Sequence, residues 1–267
     1  MYNALYYANR EISFKVTVMQ IFDAHFHIID PRFPLKANQG YLPAPFTAQM
    51  YEEVIKDYDI TGGAIVSGSF QGFDQSYILD ALQTLGEQYV GVVNLPNNAS
   101  DEEIITLSRK RIRAVRFNIY RGGSKTINHL TLFAKRIYDL CGMHIELYIS
   151  GEQINQHYDK LKTLPKFSID HLGLTKDGQH QLLKLVEKGG YIKASGFMRI
   201  DFDAVKLMRK IIAINPNALL FGTDLPGTRA SRIFSKQDIQ LIEDHFSANE
   251  QKNIFKNNAV KYYGLNS

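Results

Sequence analysis

Ile21-Phe22-Asp23-Ala24-His25-Phe26-His27-Ile28-Ile29-Asp30-Pro31 is the stretch on which the fold turns. A short apolar run that ends in polar residues predicts a buried strand. An open, doubly wound sheet would place a glycine-rich phosphate turn directly after such a strand, and no glycine occurs between 21 and 31. Further runs of the same kind follow at 63–66, 89–93, 113–118, 144–149, 167–170, 191–194 and 219–223. Between them, apolar residues return at three- and four-residue intervals over 74–85, 130–141, 179–188 and 201–213, the period of helices with one buried face. From 21 to 219 the repeats measure about 28 residues each, close to a βαβ unit of about 30. The pattern predicts α/β architecture: a single-domain (β/α)8 TIM barrel over 20–267, with a short N-terminal extension over 1–19 that is strand-like at 14–19. Barrel chemistry sits at the C-terminal ends of the strands, so polar residues there are the candidates for function.

Composition narrows the classes. With 267 residues, 45% hydrophobic and 22% charged, the chain can bury a large core, which excludes a disordered or collagen-like protein. Lys and Arg number 31 against 27 Asp and Glu, a net charge of +4, and the basic residues are dispersed rather than gathered in a stripe. No nucleic-acid partner is expected, and a small anionic substrate is compatible. A single cysteine, Cys141, allows no intrachain disulfide or thiolate metal cage and is simplest as a packed thiol in a reducing compartment. The first twenty residues lack a secretory pattern, and no run reaches the ~18 apolar residues of a membrane span. A cytoplasmic protein without a membrane partner is expected, with a homo-oligomer left open.

Four residues draw attention at the predicted strand ends. Period-two alternation puts Asp23, His25 and His27 on one face, which in a barrel points inward. Two imidazoles so placed can ligate one divalent ion or polarise one oxygen, although hydrogen-bonded core histidines would read the same way. His171 ends the sixth strand near Gly173, with Asp170 expected to point away and orient the strand end. Asp224 follows the eighth strand, as a candidate base or a plain turn-former before Pro-Gly. Tyr148 and Ser67 end the fifth and second strands, where their hydroxyls could meet substrate or close a backbone bond.

DAHFH (23–27), AVRFN (114–118), HIELY (144–148), IDHLG (169–173), KASGFMR (193–199) and FGTDLP (221–226) occur in this order. Together, over roughly 20–265, they resemble the amidohydrolase superfamily in its amidohydrolase 2 branch, and within it the 2-pyrone-4,6-dicarboxylate lactonases and sugar lactonases. The resemblance implies that Asp224 activates water while His25, His27 and His171 surround the carbonyl under attack. In many members the same four residues hold zinc or another divalent ion, whereas the pyrone-dicarboxylate lactonases work without metal. The cofactor expectation is therefore none, or one divalent metal ion, zinc foremost, on His25, His27, His171 and Asp224. A two-metal centre is not expected, because Arg116 and Tyr148 stand where binuclear members carry Lys and His.

Arg116, Arg121 and Arg199 resemble the arginines that bind substrate carboxylates in the lactonase group, a task that suits the guanidinium fork. The chain departs from those relatives at DHLGLT, where an arginine gives way to Leu174, and at GTDLPGTRA, where Arg229 offers a replacement cation. The expected activity is hydrolysis of a carboxylate-bearing lactone. The alternatives are a metal-dependent decarboxylase of the same branch, amide-bond hydrolysis, or a catalytically silent small-molecule-binding barrel.

Overall fold

A computed structural model describes residues 19–122, 127 and 129–265. The expected extension over 1–19, with its strand-like stretch, lies outside these residues up to position 18. Eight strands run in chain order: β1 (Ile21–Phe26), β2 (Ile60–Val66), β3 (Tyr89–Val93), β4 (Ile112–Asn118), β5 (His144–Tyr148), β6 (Phe167–Ile169), β7 (Tyr191–Ala194) and β8 (Leu219–Phe221). Each pairs in parallel with the next. The seam between first and last is closed just beyond β8: Asp224 N–H donates to His25 C=O at 2.7 Å and His27 N–H to Leu225 C=O at 2.8 Å. This is the (β/α)8 barrel that the repeat predicts.

The connecting helices are α1 (Ala48–Ile55), α2 (Ser76–Leu85), α3 (Asp101–Arg109), α4 (Leu130–Cys141), α5 (Gly151–Leu161), α6 (Gln179–Glu187), α7 (Ala204–Ile214) and α8 (Lys236–Glu243). Several start on a side-chain cap at the strand-exit end of the barrel. Ser100 accepts from Glu103 N–H ahead of an acidic first turn, and Ser150 forms a capping box with Gln153. Among the described residues, no helix is long and apolar enough to cross a membrane.

Alternation along the strands separates two cores. Ile65, Val93, Val115, Phe117, Ile145, Leu147, Ile169, Ile192 and Phe221 face the helices. Phe22, Ala24, Ala64, Val66, Val90, Val92, Ala114 and Leu220 form a smaller cluster inside the barrel. That inner cluster is completed by Tyr262 and Tyr263 of α10 (Asn258–Tyr263), reached through α9 (Ala248–Lys252) and a π-helical turn over Asn253–Asn257. Lys166, one residue before β6, donates to Tyr262 C=O at 2.6 Å, which seats this helix at the N-terminal end of the strands. One end of the barrel is thus filled with aromatic rings, leaving the other for polar groups.

β1 departs from simple alternation. Asp23 pairs with Gly63 and Phe26 with Ile65, so three steps on β1 match two on β2. Such a bulge shifts the side-chain parity. It corrects the expectation that Asp23, His25 and His27 share one face: the two histidines point inward, whereas Asp23 turns toward α1. There its carboxylate accepts from Tyr51 OH at 3.1 Å, from Thr223 N–H at 2.8 Å and from Thr223 OH at 2.6 Å. Asp23 is a clasp between the first strand and the loop carrying Asp224. Burial pushes its pKa up to about 6 against these donors.

Candidate active site

The strand exits bring the predicted cluster together. Asp224 Oδ1 lies 3.9 Å from His25 Nε2, 3.9 Å from His27 Nε2 and 3.8 Å from His171 Nε2, and all four side chains are buried. Two glycines make the room: a Cβ at Gly222 would stand 2.8 Å from the His25 Cβ, and one at Gly196 would stand 2.5 Å from His171 Nδ1. His171 and Asp224 adopt φ of 50° and 60°, left-handed values that cost a non-glycine residue on the order of 1 kcal/mol or more. The left-handed turn at His171 ends the alternation of β6, so Asp170 and His171 both face the interior. This corrects the expectation that Asp170 points away.

Hydrogen bonds behind the imidazoles decide what each offers. His27 Nδ1 lies 2.6 Å from Val66 C=O. A carbonyl only accepts, so Nδ1 carries the proton and Nε2 presents a lone pair to Asp224. His171 Nδ1 bonds Ser195 Oγ at 3.0 Å. His25 Nδ1 has Lys193 Nζ at 3.3 Å and Asp170 Oδ1 at 3.3 Å. Burial, reinforced by nearby cationic side chains, lowers the pKa of all three, that of His27 to about 3, so they are neutral.

Asp224 is held from one side only. Arg199 Nε donates to its Oδ2 at 2.5 Å while Arg199 Nη2 holds Thr228 C=O at 2.9 Å. Oδ1 makes no hydrogen bond and faces the histidines. Burial raises the Asp224 pKa and Arg199 opposes the rise. Arg199, expected on substrate carboxylate, is thus committed first to the candidate base.

Arg116 is similarly engaged. Its Nε and Nη2 reach Asp170 Oδ2 at 3.2 and 3.0 Å, and its Nη1 donates to Ser67 C=O at 2.9 Å. Its guanidinium also packs 5.1 Å from the Tyr148 ring centre. The interior therefore balances Arg116, Lys193 and Arg199 against Asp170, Glu146 and Asp224, as buried charge requires.

Of these groups His27, Arg116, His171, Arg199 and Asp224 line a cleft whose walls include Tyr41, Phe70, Tyr148, Arg121 and Arg229. Tyr148 sets its ring edge-on to His171 at 5.6 Å. Arg121 lies over Tyr120, and Arg229 donates to Asn38 C=O with its guanidinium 4.5 Å from the Tyr41 ring centre. Neither has an ion-pair partner among the described residues. Ser67 is a correction: its Oγ bonds Tyr77 OH of α2 at 2.6 Å, outside the barrel, because it follows inward-facing Val66. Sequence reasoning missed Lys193 and Glu146, although opposite charges in the middle of two apolar strands were a signal.

The residues fit a single divalent ion by position. His25, His171 and Asp224 each offer a ligand atom, all within 4.8 Å of one another, and His25 Nε2 and Asp224 Oδ1 are buried without a hydrogen-bond partner. Nitrogen and carboxylate donors suit zinc. A second trio, His25, Glu146 and Asp170, also converges, but the ammonium of Lys193 sits among its members.

A model of the amidohydrolase family (Amidohydro_2) matches residues 22–265. The chain belongs to the amidohydrolase family. A 4-sulfomuconolactone hydrolase from Hydrogenophaga intermedia is 24% identical to this amidohydrolase over 269 residues, covering 91% of this chain and 88% of that one. Among solved structures, a probable 2-pyrone-4,6-dicarboxylic acid hydrolase from Acinetobacter baumannii with citric acid bound aligns at a TM-score of 0.80 and 22% identity, over 92% of this chain and all of the other. A putative 2-pyrone-4,6-dicarboxylic acid hydrolase from Pseudomonas putida aligns at 0.78 with 22% identity, covering 92% and 98%. The family read from the ordered motifs is the family found.

Proposed function

We propose that this amidohydrolase opens a lactone bearing carboxylate or comparable anionic groups, using water activated by Asp224. The observation that carries the reading is one carboxylate oxygen, Asp224 Oδ1, unbonded among three neutral imidazoles beneath two rim arginines, Arg121 and Arg229, that have no carboxylate partner among the described residues. The names of the Hydrogenophaga, Acinetobacter and Pseudomonas relatives, all lactone or pyrone hydrolases, support it.

The chain's groups divide the work. Asp224 Oδ1 and His27 Nε2 are both acceptors, 3.9 Å apart, so a water between them can give one hydrogen to each and aim its oxygen at the substrate. Arg199 fixes Oδ2, which turns Oδ1 toward that water and favours the ionised carboxylate. As the water oxygen bonds to the lactone carbonyl, Asp224 takes its proton, and an N–H donor among the remaining imidazoles stabilises the developing oxyanion. Collapse breaks the ring C–O bond, and the proton on Asp224 passes to the leaving oxygen. Arg121 and Arg229 hold the substrate's anionic groups at the rim. A divalent ion held by His25, His171 and Asp224 would supply Lewis-acid polarisation of the carbonyl in place of an imidazole N–H, and would require His25 Nε2 without its proton.

The test is a panel of lactones followed with a pH indicator, with carbon dioxide measured in parallel. Dicarboxylated lactones should release acid without gas and outperform neutral lactones of the same ring. Carbon dioxide release from the carboxylated substrates would replace this reading with decarboxylation.

A further inference from the structure

One buried cation takes no part in the chemistry above. Lys193, in the middle of β7, is fully buried inside the barrel, and its Nζ donates to Glu146 Oε2. Glu146 is itself fixed, because its other oxygen accepts from Tyr263 OH at 2.6 Å. The ammonium is left 3.3 Å from His25 Nδ1 and 3.7 Å from Asp170 Oδ1. An ammonium has donors and no acceptor, so an imidazole nitrogen bonded to it must carry the lone pair. Asp170 Oδ1 competes for the same Nδ1 at 3.3 Å but completes no hydrogen bond there.

We propose that Lys193 is a positioning residue: by donating to His25 Nδ1 it places the single imidazole proton of His25 on Nε2, on the side of Asp224 Oδ1, 3.9 Å away. Two histidines at the end of β1 then play opposite parts. Val66 C=O makes His27 an acceptor for water, and Lys193 makes His25 a donor beside Asp224 Oδ1. The same ammonium stands among His25, Glu146 and Asp170, where its charge and the proton it imposes both oppose a metal ion on His25.

Protein labelled with 15N in its histidine rings reads this directly, the His25 signals being those absent from a His25→Asn variant. In the native protein His25 should appear as the Nε2–H tautomer. In Lys193→Met/Glu146→Gln, which removes one buried cation and one buried anion together, it should switch to Nδ1–H, donating to Asp170. That variant should also bind Zn2+ alone at least tenfold more tightly than the native protein. Under the lactone reading its kcat should fall at least 30-fold with KM within threefold. Only this last expectation rests on that reading, so an inactive native enzyme would overturn the function and leave the tautomer assignment standing. Native His25 found as Nδ1–H overturns the proposal without any variant, as does an unchanged tautomer or an unchanged zinc affinity in the folded double variant.

Discussion

Asp224→Asn separates the chemistry of the site from its stability. The amide matches the carboxylate in shape, its oxygen can keep the bond from Arg199 Nε, and its NH2 can donate to the lone pair of His27 Nε2. What disappears is the proposed base. General-base catalysis is worth about 10²–10⁴ in rate, so kcat should fall by that factor, equivalent to roughly 3–5 kcal/mol in the barrier, with KM little changed. Two stability effects oppose each other: Arg199 loses its counterion, and a carboxylate that burial disfavours is removed. Their near cancellation should keep the variant within about 2 kcal/mol of the native protein, or roughly 4–8 °C in Tm.

The pH dependence of that difference carries a sign. The Asp224 pKa is raised on folding, so the folded state favours its protonated form, and ionisation costs stability as pH rises above the ordinary carboxylate range. The variant escapes that cost, so its Tm relative to native should become more favourable from pH 4 upward. Indicator assays of ring opening and parallel thermal melts supply both readouts. Turnover within tenfold of native, or a Tm difference that worsens with rising pH, would refute the reasoning.

Three further outcomes follow from the geometry. His25, His27, His144 and His171 are all buried with lowered pKa, so the stability of holding them neutral is present above the unfolded value of about 6.5 and is lost as pH falls below it. Asp23, raised to about 6, offsets part of this loss below pH 6. The Tm should fall between pH 7 and 5, and a Tm that stays flat there would contradict it. Arg229→Met should raise KM about tenfold or more for a substrate with two anionic groups and leave a monoanionic one nearly unaffected, as steady-state kinetics on the pair will tell. Ser67→Ala should leave kcat/KM unchanged while costing about 1–3 kcal/mol in denaturant unfolding, because Tyr77 OH loses its buried partner; a selective loss of activity would return Ser67 to the cleft.

Much of this was legible before any coordinates, for physical reasons. Buried parallel strands read as short apolar runs, and the spacing of those runs carries the barrel. His25, His27, His171 and Asp224 stood out because polar side chains at the exits of apolar strands have no packing purpose. The misreadings have one origin: which face a residue takes depends on pairing register and local backbone rather than on residue type. A bulge in β1 turned Asp23 outward, a left-handed His171 turned Asp170 inward, and ordinary alternation sent Ser67 to Tyr77. The pairings of Arg199 with Asp224 and of Lys193 with Glu146 join residues from separate repeats, and only closure of the barrel introduces them.

The seam between β1 and β8 governs when the proposed centre is assembled. The amide of Asp224 itself bonds His25 C=O, and Asp23 clasps Thr223 across 200 residues of chain. A folding chain lacks the Asp224 carboxylate among the imidazoles until the eighth strand has docked on the first, so the barrel must close before the proposed centre exists. Contacts of such long range are also the slowest to form. Under the proposed function, closing the barrel and assembling the site are therefore one and the same step.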